Sequence, residues 1–273
     1  MSTSSRILVY VTCTILVILV LIPFVWALRI ALQPTFTTAV PLIPDFARLS
    51  FENFLHLVYS TAFPRWVLNS FIFAGFVTAL NVLLDAMAGY VLARRRLPGA
   101  NVIFVGVLAL LMVPHQITLI PLYLMMSELN LVDTYVGLIL PLAANAFGIF
   151  VMRQFILSIP TDYEEAAAID GASRIRTFFT VILPLARPAL LVVAVTVFVE
   201  TWNNFIFPLV MVTQNSMKTV TVGLADFSYA TLNVNWGLTM AGSLLGALPA
   251  IILFVFLQRT FMEGFSLGGG VRG

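Results

Sequence analysis

Six stretches of the chain carry little or no charge over the length of a membrane-crossing helix. They run over 7–28, 66–84, 102–124, 135–152, 189–212 and 237–257. About 20 apolar residues in a helix cross the hydrocarbon core of a bilayer. Lipid offers no partner to a bare backbone amide, so each crossing is expected to be helical. The pattern therefore predicts an all-α, polytopic membrane protein with six transmembrane helices. Asp85 is expected to mark the end of the second span as an interfacial charge that pairs locally. Pro114, followed by His115 and Gln116, predicts a kink in the third.

Composition strengthens this picture. The chain has 273 residues, 60% hydrophobic and 10% charged, and its mean hydropathy is +1.03. Soluble domains carry about 25% charged residues, so this chain lacks the polar surface of a globule in water. The net charge of +2 gives no argument for a nucleic-acid partner. The single cysteine, Cys13, can form no intrachain disulfide and is read as a small packing residue. The first apolar run exceeds the ~7–15 residues of a signal-peptide core, so it is read as a retained span.

Basic residues set the orientation. With both termini cytoplasmic, Arg6, Arg94, Arg95, Arg96, Arg153, Arg174, Arg176, Arg187, Arg259 and Arg272 lie inside. Arg29, Arg48, Arg65 and Lys218 then lie outside. Both termini are therefore expected in the cytoplasm. The outer segment 33–65 contains four prolines and is expected to be a loop with one short helix around Phe51 to Tyr59.

The segment between the fourth and fifth spans, 161–184, carries the most local detail. Thr161 can cap a helix and Glu164 can answer its amide, as in a capping box. Asp162 and Glu164 suit the positive end of a helix dipole. The following Glu165-Ala166-Ala167-Ala168 run favours helix, and Gly171 allows a left-handed stop. A second short helix is expected around Arg174 to Val181, ended by Pro184. Pro188 fits the first turn of the fifth span. The loop is either a docking element with an alanine row for close approach, or a plain connection between spans.

These residues resemble a known pattern. Glu165-Ala166-Ala167, then Gly171, then Val181-Ile182-Leu183-Pro184 is similar to the EAA loop of bacterial ABC importer permeases, with Val181 in place of the usual isoleucine. Further similar segments are Ala88 to Arg94, Met112-Val113-Pro114, Ile120 to Tyr123, Gly137 to Pro141, Arg153-Gln154-Phe155, and Trp202-Asn203-Asn204-Phe205. The chain resembles the shorter six-span subunit of the maltose-type carbohydrate permease family. Asn204 stands where that family usually has an acid.

The resemblance implies a single transmembrane domain over 1–273 in the cell membrane. It implies a second permease subunit as heterodimer partner, an ATP-binding subunit dimer beneath, and an extracytoplasmic solute-binding protein. ATP and magnesium would be bound by the partner ATPase, with no cofactor in this chain. Coupling would run through Glu164, Glu165, Ala166, Ala167, Asp170, Gly171, Leu183 and Pro184. The tail 266–273 would reach between the motor domains.

Polar residues inside spans are expensive and must face a cavity or a partner. Glu200, placed mid-span, with Asn203 and Asn204 one turn away, is read as a candidate pathway face; the competing role is hydrogen bonding between helices. Asn69 and His115 are weaker pathway candidates, as are Ser70 and Asn81. The sequence contains no G-x-x-x-x-G-K-[ST] loop, so ATP binding by that route is not expected here. A self-sufficient ion-coupled transporter and an intramembrane enzyme are the alternatives. The first would need an ion site and an internal repeat, the second a catalytic pair on facing spans.

Overall fold

The computed structural model describes residues 3–33, 49–94, 98–229 and 235–268; side chains are described from residue 5 and as far as residue 256, except for 228 and 229. In chain order the α-helices are α1 (Thr3–Ala31), α2 (Glu52–Ser60), α3 (Phe63–Arg94), α4 (Ala100–Leu110), α5 (His115–Glu128), α6 (Tyr135–Ile139) and α7 (Ala146–Ser158). They continue as α8 (Asp162–Ile169), α9 (Arg174–Thr177), α10 (Leu183–Leu185), α11 (Arg187–Trp202), α12 (Ile206–Met211), α13 (Val220–Tyr229) and α14 (Trp236–Gly268). The described residues contain no strand.

Three helices are long and apolar enough to cross a bilayer unaided: α1, α3 and the first part of α14. Three further candidates are pairs bent at a break: α4 with α5 at 97°, 135–142 with α7 at 44°, and 174–185 with α11 at 78°. Counting each bent pair as one span gives up to six among the described residues.

The breaks have local causes. Pro114 has extended backbone at the N-cap of α5, which stops α4 before it. Asn145 caps α7 with its own side chain, accepting from the Phe147 amide at 2.8 Å. Asn204 stands one residue before the N-cap of α12, and its Oδ1 accepts from the Phe207 amide at 3.2 Å. At 16 residues, α11 is about 24 Å long, short of the ~30 Å core.

The chain forms two compact units. The first comprises Met1–Val67 and Thr219–Pro249, the second Leu68–Lys218 and Ala250–Gly273. In the first unit, Leu57, Phe63, Trp66, Val220 and Leu238 make a small core. Trp66 meets the Phe227 ring at 5.4 Å between centroids. Buried Asn53 donates to the carbonyls of Ala31 and Gln33, pinning α2 to the end of α1. Along α1 itself, residues 5–26 are all exposed.

The second unit holds the larger core, built around Phe73, Val77, Met152, Ile182, Val193 and Met211. Polar residues tie both ends of its part of α3. Near the start, Asn69 donates to the carbonyls of Ser216 and Lys218 and accepts from the Tyr135 hydroxyl. At the other end, Arg94 is tied to the region of α8. Residues 69 and 94 lie roughly 37 Å apart along the helix at 1.5 Å per residue, enough to cover the core of a bilayer.

Two sequence expectations are corrected here. Asp85 does not end the second span: α3 continues to Arg94. Nor is Asp85 interfacial. It is fully buried, and its Oδ1 accepts from the Asn145 amide at 3.0 Å. The amide it holds belongs to the N-cap residue of α7, so Asp85 links α3 to the start of that helix. Gly148 makes the approach possible, since a Cβ at that position would run into the Asp85 carboxyl group.

Candidate functional site: the α8–α9 turn and the polar break after α11

The helix α8 is fixed at both ends by different means. Its C-terminus is a Schellman closure. Gly171 has φ +77°, its amide donates to the Ala168 carbonyl at 3.0 Å, and the Ala172 amide donates to Ala167 at 2.9 Å. The expected left-handed stop is therefore present.

The N-terminus differs from expectation. Thr161 has helical backbone angles and makes no side-chain cap, so the capping box does not form. Glu164 is drawn elsewhere. Its Oε1 lies 2.6 Å from Nε of Arg94, and its Oε2 accepts from the Tyr90 hydroxyl at 2.9 Å. The N–H of Arg94 is not aimed along the 2.6 Å contact, so this is an ion pair rather than an aligned hydrogen bond. A terminal nitrogen of Arg94 also donates to the Ile159 carbonyl. The last turn of α3 thus grips the start of α8.

This grip sorts the loop residues into two faces. Glu164 and Ala167 face inwards, and Leu183 is half-buried. Glu165, Ala166, Asp170, Gly171 and Pro184 are exposed. The outward face also carries apolar side chains that the sequence reading passed over: Ile169 is 86% exposed and Ile175 74%. Ile169 stands beside the exposed Ala166 and Ala168 on α8, and Ile175 lies on α9. Their signal in the sequence was the placing of large apolar residues among charges in a segment too short to bury both.

The second short helix also departs from expectation. Ser173 caps α9 through the Arg176 amide. Pro184 does not end the helical run, which continues to Leu185. A wide π turn over Phe178–Ile182 precedes it. Pro188 sits in the first turn of α11, as expected.

The pathway candidates separate. Glu200 lies two residues from the end of α11 and is exposed. Asn203 caps α11, its Nδ2 donating to the Val199 carbonyl at 2.8 Å. Asn204 stands just before α12. These three residues therefore gather at one helix break. Asn69 is buried with both polar ends engaged. Asn81 is likewise buried and donates to the Val77 and Leu142 carbonyls. His115 opens α5 and is exposed, away from any metal-like grouping; among the described residues no cluster of His, Cys, Asp or Glu could hold a metal ion.

At the end of the second unit opposite α8, Asp133 forms a compact staple. It accepts from the Thr213 amide at 2.7 Å, the Thr213 hydroxyl at 2.5 Å and the Gln214 amide at 3.0 Å. Slight burial pushes its carboxyl pKa upward, but the three donors outweigh this and hold it below the ordinary value.

Long and broken apolar helices of this number and length define a polytopic membrane protein. Residues 85–262 match the family described as binding-protein-dependent transport system inner membrane component, and the chain belongs to that family. It is thus a multi-pass inner-membrane permease component, not an enzyme. It is 36% identical over 231 residues to the arabinooligosaccharides transport system permease protein AraQ of Halalkalibacterium halodurans, covering 84% of this chain and 82% of the relative. It is 34% identical to the trehalose/maltose transport system permease protein MalG of Thermococcus litoralis, covering 97% and 96%. To the sn-glycerol-3-phosphate transport system permease protein UgpE of Yersinia pestis it is 32% identical, covering 75% and 73%. A chain in the crystal structure of a bacterial ABC transporter involved in alginate import has the same fold, with a TM-score of 0.81 at 23% identity over 96% of this chain and 99% of that one.

Proposed function

We propose that this chain forms half of the translocation pathway of an ATP-driven importer for a carbohydrate or a related polyol or glycerol-phosphate solute. The names of its relatives support this solute class. In this reading the chain crosses the membrane six times with both termini in the cytoplasm. The α8–α9 turn then lies on the cytoplasmic face and docks on one copy of an ATP-binding subunit dimer. That partner holds ATP and magnesium.

The observation that carries the reading is the division of labour on α8. Glu164 is spent inwards on Arg94 and Tyr90, while Glu165, Ala166, Ile169 and Asp170 face out. The first fixes the helix to α3; the second leaves a surface for another chain. A motion imposed on α8 would then be passed directly to a helix that reaches the opposite side of the bilayer. A second permease subunit would complete the pathway, and an extracytoplasmic binding protein would deliver the solute. The long exposed face of α1 is consistent with a chain that packs within a larger assembly. Glu200, Asn203 and Asn204 are the pathway residues in this reading, offering hydrogen bonds to a hydroxyl-rich solute.

The test is to purify the tagged chain in mild detergent from its own host and identify its companions. A second permease of similar size and two copies of an ATP-binding subunit are expected. An Ile169→Cys variant should cross-link to the ATP-binding subunit. A chain that purifies alone and transports alone in liposomes would overturn the reading.

A further inference from the structure

The second unit carries a groove near the α8 end of α3. It encloses about 450 Å³ and is walled by Met87, Val91 and Leu92 of α3, Ile103 and Val107 of α4, and Ile149 of α7. These walls are wholly apolar, so the groove offers nothing to a sugar. Just outside this lining is Arg153, one helical turn beyond Ile149 on α7. Its Nε donates to the Leu92 carbonyl at 3.3 Å, and its guanidinium lies 3.9 Å from the centre of the Phe104 ring. The backbone of one wall and an aromatic beside the other thus hold it in place. Among the described residues no carboxylate lies within ion-pair distance of it.

We propose that this groove and Arg153 form a binding site for one anionic phospholipid, with an acyl chain between α3, α4 and α7 and the phosphate on the Arg153 guanidinium. Charge complementarity selects this occupant. A guanidinium pairs with phosphate through two parallel hydrogen bonds, and an apolar trough beneath it matches a chain of methylenes. Depth agrees. The α3 wall lies within about 10 Å of the end of that helix, so it falls in a single leaflet of a ~30 Å core. The basic end of the groove lies on the same side as α8, which is the leaflet where anionic lipid attracts Lys and Arg most strongly if α8 is cytoplasmic.

The experiment uses the intact transport complex, delipidated and then returned to nanodiscs of either pure phosphatidylcholine or phosphatidylcholine with one-fifth phosphatidylglycerol. Native mass spectrometry counts the lipid retained after transfer to detergent. The wild type is expected to keep one phosphatidylglycerol per copy of this chain and to prefer it over phosphatidylcholine. Arg153→Gln should lower that preference about tenfold, the scale of a lost charge-assisted hydrogen bond, while Arg153→Lys keeps part of it. Val91→Trp, which fills the groove but leaves the charge, should abolish retention of either lipid. Equal retention by the wild type and both disruptive variants would overturn the proposal. So would equal binding of the two lipids by the wild type, or efficient cross-linking of Ile103→Cys to a partner chain.

Discussion

The carboxylate of Glu164 lies 2.6 Å from Nε of Arg94, joining residues of two helices that are 70 positions apart in the chain. Both side chains are mostly buried, at 20% and 11% exposure. Removing one partner of such a pair leaves a buried charge uncompensated, which costs roughly 3–5 kcal/mol. Arg94→Ala and Glu164→Ala should each lower the thermal stability and cellular abundance of the chain, and the double variant should be no worse than the poorer single one. A double-mutant cycle on detergent-purified protein measures this. Strictly additive losses would show that the two side chains do not act together.

Gly171 tests the other end of α8. Its φ of +77° costs a residue with a Cβ roughly 1–2 kcal/mol. Gly171→Asp should insert at normal abundance and yet lower uptake, because the turn that sets the outward face of α8 is altered. Gly171→Asn, which tolerates left-handed backbone better than most residues, should keep more activity than Gly171→Val. Equal uptake by all three at matched abundance would argue against a docking role.

Gly148→Ala is expected to act within the fold. Its methyl would enter the space of the Asp85 carboxyl group, and overpacking of this kind costs about 1–3 kcal/mol. The prediction is lower thermal stability in detergent, with part of the loss relieved when Asp85→Ala is added. Failure of that relief would mean that the two positions are not in contact.

The Asp133 staple carries a pH dependence. Its folded pKa lies below the ordinary value, so its contribution is complete above the unfolded aspartate value of ~3.9. The contribution is lost as the pH falls through the depressed folded value. The stability gap between the wild type and Asp133→Ala should stay level from pH 8 to pH 5 and narrow below about pH 4. Thermal melts across that range check it; a gap that narrows between pH 7 and pH 5 would contradict the staple.

Glu200→Ala should lower uptake while the assembly still purifies whole. The side chain is exposed at a helix break, so its removal leaves no hole in a core. Collapse of the assembly would assign Glu200 to contacts between chains instead.

The sequence made the apolar runs plain, because lipid forces a length and an absence of charge on any crossing segment. It also showed Gly171, since few residues other than glycine sit easily at a left-handed helix end. The breaks were harder. Pro114 announced one, but Asn145 and Asn204 did not look like residues at a helix start, because an asparagine within an apolar run reads equally as a polar residue facing a cavity. Thr161 and Glu164 have the spacing of a capping box, but Arg94 and Tyr90 compete for the same carboxylate from another part of the chain. Asp85 failed for a similar reason. Its partner is a backbone amide at residue 145, which no side-chain pattern can reveal. What was missed were contacts made at long sequence separation, and what was legible were constraints imposed on each segment by itself.

Successive positions on a helix point about 100° apart, so under the proposed docking Glu164 and Glu165 answer to different chains. A lesion at Glu164 should find its suppressors within this same gene, at Arg94 or Tyr90. One at Glu165 should find them in the gene for the ATPase. Two neighbouring glutamates would then belong to separate complementation groups of second-site revertants.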